Sequence, residues 1–128
     1  MHDSDFEGEE KSQSELCIVV DSISEPTSSG IVKITTPSGS IFLLRDFYLD
    51  KVKIEDLRVG SKIEDDYPLE ILDSTLCCVV EGAALQYLNR SEHSRFLLEQ
   101  KLKKKEYGNN QIQKALDYLE SENLLSDR

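Results

Sequence analysis

The sequence predicts an α+β protein in which a small antiparallel β-sheet leader is followed by a three-helix bundle. Apolar residues alternate over residues 16–45 but recur at every third or fourth position after Pro68, which separates a strand-forming part from a helical part. Turn residues interrupt the first part, and short polar segments divide the second part into three. The 128 residues suffice for one modest domain or for two small ones.

Residues 1–14 form an acidic segment that we expect to be disordered. The segment has acidic side chains and a single lysine, Lys11. A secretory signal, by contrast, begins with basic residues that are followed by apolar ones. No later stretch approaches the roughly 18 uncharged apolar residues of a membrane span. We therefore expect a cytoplasmic protein with no membrane span.

Residues 15–66 are predicted to form a small β-rich leader subdomain. Residues 16–20 and 31–35 are strand-like and flank a turn, which predicts a hairpin, and a second turn leads to a third strand at residues 41–44. Residues 46–66 fit either a short strand or a helical turn. A sheet this small has one apolar face and cannot stand alone in water, so we expect a later part of the chain to cover it.

Residues 67–128 are predicted to form a three-helix repeat whose long first helix is shared with the leader. Pro68 suits the first turn of this helix, because the N–H that proline lacks has no helical partner there. Its apolar residues at helical spacing are expected to face inward: Leu69, Leu72, Leu76, Val79, Val80, Ala83, Tyr87 and Leu88.

Two shorter helices complete the predicted bundle. Ser94 is the expected N-cap of the second helix, and either Asn109 or Asn110 is the expected cap of the third. The inward residues of the second helix are expected to be Leu97 or Leu98, Lys101 by its stem, and Leu102. Those of the third are expected to be Ile112, Ala115, Leu116 and Leu119. Leu124 and Leu125 then fold back onto the bundle.

Basic residues around the second helix form the candidate partner-binding surface. The candidate contacts are Arg90, Arg95, Lys101, Lys104 and Lys105. Lys101 and Lys105 lie four residues apart and therefore share a helix face. The alternative is a solvated face whose cations suit the negative end of the helix dipole. As a DNA site the set would be weak, because it offers about four phosphate contacts and no aromatic ladder.

The charge of the chain is uneven. The formal net charge of −10 counts against a protein that coats nucleic acid. Residues 1–80 hold 17 acidic and 7 basic side chains, whereas residues 81–128 hold 8 of each. The acidity therefore lies in the first part of the chain.

No group of residues indicates a catalytic centre or a metal site. Cys17, Cys77 and Cys78 fit neither a disulfide framework nor a CxxC zinc knuckle. His93 is expected to be a surface loop residue, and there is neither a nucleophile elbow nor a phosphate-binding glycine loop. We expect no enzymatic activity, no metal, no cofactor and no small-molecule substrate.

The helical segment carries a pattern of polar anchors among apolar positions. Arg90, Ser94 and Asp127 are the anchors, and the apolar and neighbouring positions are residues 84–88, 91–93 and 124–126, with Leu98, Leu102, Tyr107, Ile112, Leu116 and Leu119. This pattern resembles the first helical repeat of the RecX family. The upstream pattern resembles the β-rich leader that some members carry, through Gly39, Phe42, Leu57 and Gly60.

The resemblance implies a regulatory protein that binds the filament of the RecA recombinase and inhibits its activity in recombination and DNA repair. It implies RecA as the protein partner, with the single-stranded DNA of the filament as an alternative contact, and we expect a monomer. The sequence departs from the family pattern at Leu97, where the family has Glu, and at Glu106 and Asn123, where it tends to have Gly. The second helix is therefore expected to end differently, and one repeat stands where members usually have three.

Two other functions remain open. A helix-turn-helix nucleic-acid binder would need a basic third helix, and that helix offers only Lys114 against several acidic residues. A protein-interaction adaptor would present an exposed strand edge, and an uncovered edge at residues 16–23 or 41–45 would favour it.

Overall fold

The computed structural model describes residues 17–125, and two groups of strands precede three helices in it. The strands are β1 (Ile18–Val19), β2 (Ser22–Ile23), β3 (Val32–Thr35), β4 (Ile41–Leu44) and β5 (Lys62–Ile63). The helices are α1 (Tyr67–Arg90), α2 (Arg95–Lys104) and α3 (Asn109–Ser121). The predicted α+β class is confirmed. The acidic segment at residues 1–14 lies outside the described residues.

The chain divides into two compact units, and the boundary falls between Leu72 and Asp73. The boundary lies within α1, so the first unit holds the strands with the start of this helix. The second unit holds the remainder of α1 together with α2 and α3.

The first unit contains two antiparallel sheets. Strands β2, β3 and β4 form one sheet in that order, and β1 pairs with β5 in the other, with Ile18 opposite Ile63. The predicted hairpin is present, because β2 pairs with β3 across the turn, but the first part of its predicted first strand forms β1 and pairs with β5 instead. Backbone bonds from Val20 N to Ser61 O (2.9 Å) and from Gly60 N to Val20 O (2.7 Å) hold the end of β1 beside the chain that leads into β5.

The core of the first unit is made by both sheets and by the start of α1. Its buried residues are Ile18, Val20, Ile34, Leu44, Val52, Ile63 and Ile71. Ile71 belongs to α1, so a later element does cover apolar surface of the strands, as predicted. The Glu70 carboxylate accepts hydrogen bonds from the backbone of Lys51 (3.0 Å) and Val52 (2.6 Å), which fixes the start of α1 in this unit.

Helix α1 buries Val80 as predicted and partly buries Ala83, Tyr87 and Leu88, but the other four residues predicted to face inward are exposed. Leu69, Leu72, Leu76 and Val79 are exposed, whereas Ile71, Ser74, Cys77, Val80 and Ala84 are buried. The helix is apolar on more than one side, and spacing alone does not identify which stripe packs. Apart from Ile71, the buried stripe holds side chains smaller than leucine, which permit close packing, and the exposed leucines lie on the other side.

Helix α1 is also long and apolar enough to cross a bilayer, by length and composition, and it is the one such helix among residues 17–125. The expectation that no stretch comes near this composition was therefore too strong. Core helices of water-soluble proteins pass the same test. The middle of α1 carries two carboxylates: Asp73, which is paired with Lys114, and Glu81, which is buried.

The second unit confirms most predicted features of the bundle. The Ser94 hydroxyl accepts a hydrogen bond from the Leu97 N–H (3.1 Å) and so caps α2. Leu98 and Leu102 are buried, whereas Leu97 and Lys101 are exposed. The predicted inward face of α3 is buried: Ile112, Ala115, Leu116 and Leu119. After α3, Leu125 is buried and Leu124 is exposed.

The predicted cap of α3 is wrong. Gly108 is the N-cap, and both Asn109 and Asn110 lie within the helix. The Asn109 side-chain oxygen accepts a hydrogen bond from Gln113 one turn later (3.4 Å), so it does not serve the first N–H groups of the helix.

Helices α2 and α3 both end at a left-handed residue. Glu106 follows α2 with φ 67°, and Asn123 follows α3 with φ 61°. Bonds from Asn123 N to Glu120 O and from Leu124 N to Leu119 O complete a Schellman motif at the end of α3. Glu106 adopts the conformation that glycine favours, whereas the last bonds of α2 run from Lys105 N to Leu102 O (3.1 Å) and from Glu106 N to Lys103 O (2.9 Å). That α2 ends differently from the family pattern stays a prediction.

Candidate functional site

The five candidate contact residues all lie in the second unit, around the end of α1 and along α2. Arg90 ends α1, Arg95 begins α2, and Lys105 follows α2 as its C-cap. Lys101 and Lys104 lie in the second half of α2. The structure therefore separates Arg95 from the three lysines by about two turns of helix.

Arg95 ties α2 to α3. Its guanidinium contacts Asp117 (2.9 Å) and Glu120 (3.0 Å) and donates to the Gln113 side chain (2.8 Å). Burial lowers the pKa of the Arg95 guanidinium, but the hydrogen bond to Asp117 and the charge of Glu120 outweigh this, so the pKa is raised overall. Arg95 is thus engaged within the bundle and does not join the lysines of α2.

Two further cations of the second unit are also neutralised. Lys103 pairs with Glu99 one turn earlier (3.1 Å), and Lys114 of α3 pairs with Asp73 of α1 (2.7 Å). Asp73 in addition accepts a hydrogen bond from Gln111 (2.7 Å). The Lys114 pair joins α3 to α1, whereas the Lys103 pair lies within α2, and both leave little net charge around them.

A small cationic cavity lies between the end of α1 and the end of α2, and we name it the Tyr87 pocket. It has a volume of about 50 Å³ and is lined by Ala83, Gln86, Tyr87, Arg90 and Lys105. The ammonium groups of Lys101 and Lys105 lie 5.1 Å and 5.7 Å from the centre of the Tyr87 ring, within the range of a cation–π interaction. The predicted shared face of Lys101 and Lys105 is therefore present.

His93 holds Lys101 in place beside this pocket. A carbonyl oxygen only accepts, so His93 Nδ1 donates to Ser91 O (2.9 Å). The other ring nitrogen, Nε2, then accepts from the Lys101 ammonium (2.8 Å). The His93 and Tyr87 rings lie 5.8 Å apart, so His93 is a neighbour of the candidate site and more than a surface loop residue.

Three cations at this site have no carboxylate partner within residues 17–125: Arg90, Lys101 and Lys105. Lys104 is likewise exposed, but it does not line the Tyr87 pocket. Tyr87 and His93 were not predicted to contact these cations. The position of Tyr87 three residues before Arg90, on the same face of α1, was the one available signal.

The cysteines do not form a reactive site. Burial raises the pKa of the Cys77 thiol to about 12, and the nearby Asp73 carboxylate adds to the effect. Cys78 is buried as well, and Cys17 is exposed. No group of three or more metal-ligating side chains occurs in the part of the chain that the structure describes.

The family comparison concerns the helices that build the Tyr87 pocket. Residues 82–119 match the family model described as RecX, first three-helix domain. The chain carries a RecX-type domain. The predicted resemblance is confirmed, and the matched range includes Tyr87, Arg90, Lys101 and Lys105.

The fold of a larger part of the chain is similar to a solved RecX structure. The crystal structure of regulatory protein RecX gives a TM-score of 0.61 with 17% sequence identity, and the match covers 88% of this chain. It covers 53% of the solved protein, so the chain spans about half the length of that protein. No curated protein matches the sequence.

Proposed function

We propose that this protein binds the filament of the RecA recombinase and inhibits its activity in recombination and DNA repair. The observation that carries the proposal is the match of residues 82–119 to the first RecX three-helix domain. We further propose that it acts in the cytoplasm as a monomer. Occupying a filament groove requires complementary shape and charge, and it requires no bond chemistry.

The contact surface proposed for this function is the cationic end of the second unit. It consists of Arg90, Lys101, Lys104 and Lys105, and it omits Arg95, which is paired with carboxylates of α3. Cations without an internal carboxylate partner can steer association with an acidic surface and select its orientation. The DNA of the filament is the alternative contact for the same residues.

The test of this function is the ATPase rate of RecA on single-stranded DNA, titrated with the purified protein. We expect the rate to fall as the protein is added, because an occupied groove restricts filament growth. The solved RecX protein provides the positive control. An unchanged rate in the presence of the protein, under conditions where the control inhibits, would contradict the proposal.

Variants of α2 test the proposed surface in the same assay. Replacing both Lys101 and Lys105 by glutamate is expected to weaken inhibition while the helical circular dichroism stays unchanged, since both side chains are exposed. Lys103→Gln is the matched control on the same helix, because Lys103 is already paired with Glu99. Equal inhibition by the double variant and the control would exclude this surface as the contact.

A protein-interaction adaptor is the second candidate function, and one observation favours it. Strand β4 forms one edge of its three-stranded sheet. It lies within residues 41–45, where an uncovered edge would favour an adaptor. The strand has four residues, and Ile41 at its start is exposed. By contrast, the helix-turn-helix alternative is disfavoured, because Lys114, the single basic residue of α3, is paired with Asp73.

A further inference from the structure

We propose that the Tyr87 pocket receives a single carboxylate side chain, Asp or Glu, from the protein partner. The inference deepens the proposed function and rests on it for the identity of the partner. It assigns one specific contact to a cavity between α1 and α2 and states the chemistry of the group that fills it.

The side chains around the Tyr87 pocket are positively charged. The ammonium groups of Lys101 and Lys105 approach the same ring, that of Tyr87, and Arg90 lines the cavity beside them. The Tyr87 ring and the His93 nitrogen position the lysines, but neither carries a negative charge. Three like charges held close together repel one another, and one anion between them relieves that repulsion.

The size of the Tyr87 pocket also suits a carboxylate. The cavity has a volume of about 50 Å³, and a cavity of about 10 to 15 Å³ holds one water molecule. The cavity therefore has room for a small group such as the two oxygens of one carboxylate. The lining donors suit an acceptor of this kind, because Arg90 and Lys105 are donors only and Gln86 adds an amide N–H₂.

The surroundings of the Tyr87 pocket favour a protein carboxylate over a nucleic-acid backbone. A single-stranded backbone is followed by a track of cations with aromatic faces on which bases stack. Here two lysines already lie over the Tyr87 ring, and the neighbouring Arg95, Lys103 and Lys114 are paired with carboxylates. The net charge of −10 also repels a polyanion. An isolated cluster of three cations fits one carboxylate better than a strand.

The test is a nuclear magnetic resonance titration of the ¹⁵N-labelled protein without RecA. The probe is acetyl-Gly-Glu-Gly-amide, which carries one carboxylate, and the matched peptide with Gln in place of Glu is its neutral control. We expect the Glu peptide to shift the amide resonances of Tyr87, Arg90 and Lys105 in a saturable way, and the Gln peptide to leave them in place. Absence of saturable shifts with the Glu peptide overturns the proposal.

Two variants and a phosphate probe complete the design. Lys105→Gln is expected to weaken binding of the Glu peptide about two- to fivefold, as for one partly exposed ion pair, whereas Lys103→Gln is expected to leave it unchanged. Equal losses in both variants overturn the proposal. Dimethyl phosphate represents one phosphodiester, and tighter binding of dimethyl phosphate than of the Glu peptide overturns the carboxylate assignment in favour of nucleic acid.

The outcome is independent of the RecA assay. Inhibition of RecA by a protein that does not bind the Glu peptide would support the proposed function and overturn the carboxylate site. Binding of the Glu peptide without inhibition of RecA would support the site and contradict the proposed function.

Discussion

Glu106 carries backbone strain at the end of α2. Its φ of 67° lies in the left-handed region, where the Cβ of most L residues approaches the backbone too closely. Asn123 holds the equivalent position after α3 at φ 61°, and asparagine tolerates this region better than glutamate does. The two helix ends therefore share a left-handed residue at unequal energetic cost.

Replacing Glu106 by glycine is expected to stabilise the protein by about 0.5 to 1 kcal/mol, because the backbone strain disappears. The greater freedom of glycine in the unfolded chain offsets part of the gain, and the value allows for this. The free energy of unfolding in urea measures the effect. Asn123→Gly serves as the control, and a smaller gain is expected there. A loss of stability in Glu106→Gly would show that the Glu106 side chain contributes more than its backbone costs.

Arg95 is the residue whose loss is expected to matter most for the stability of the second unit. The Arg95 guanidinium pairs with both Asp117 and Glu120, and its side chain is 20% exposed. One carboxylate oxygen of Glu120 is buried and has no hydrogen-bond partner, so Glu120 depends on the charge of Arg95.

Arg95→Gln is expected to lower the free energy of unfolding by about 1 to 2 kcal/mol. The value is smaller than for a fully buried ion pair, because the Asp117 side chain is largely exposed. Thermal and urea denaturation followed by circular dichroism measure it. Lys103→Gln, which breaks an exposed pair on the same helix, should cost less than about 0.5 kcal/mol. Equal effects of the two substitutions would rule out a structural role for Arg95.

At the scale of elements, α1 has two apolar stripes and buries one. The buried stripe includes Ile71 in the first unit and Val80 in the second, and both are at most 1% exposed. The exposed stripe includes Leu76 and Val79, which are 52% and 44% exposed. Hydrophobic spacing predicted the helix but not the packed face, because both stripes repeat at three and four residues.

Two alanine substitutions on α1 test this assignment of faces. Val80→Ala is expected to cost about 1 to 3 kcal/mol, because it removes buried methyl groups and leaves a cavity. Leu76→Ala removes a larger side chain but is expected to stay within about 0.5 kcal/mol of the parent protein, because the side chain is half exposed. The free energy of unfolding distinguishes the faces, and a greater loss for Leu76→Ala would reverse the assignment.

At the scale of the whole molecule, sequence patterns predicted the features that depend on residues close together in the chain. The cap at Ser94 and the buried face of α3 depend on residues within one or two turns, and both are confirmed. The partner of β1 is distant in sequence, and its choice depends on the backbone bonds around Gly60. No short-range pattern identifies such a pairing.

The candidate site was predictable in part for the same reason. Lys101 and Lys105 share a face of one helix, so their spacing placed them together. Arg95 was grouped with them by its charge, but the turn between α2 and α3 brings Asp117 and Glu120 against it. The contact of His93 with Lys101 likewise depends on the turn between α1 and α2, which the sequence does not specify.

The exposed stripe of α1 has a consequence for the behaviour of the protein in concentrated solution. Four large apolar side chains face water on one helix, and the charge of −10 keeps neighbouring molecules apart. Salt shortens the range of that repulsion to about 10 Å at 0.1 M. Approach to the isoelectric point near pH 4.6 removes the net charge that causes the repulsion, so we expect colloidal stability to fall at high ionic strength and at acidic pH.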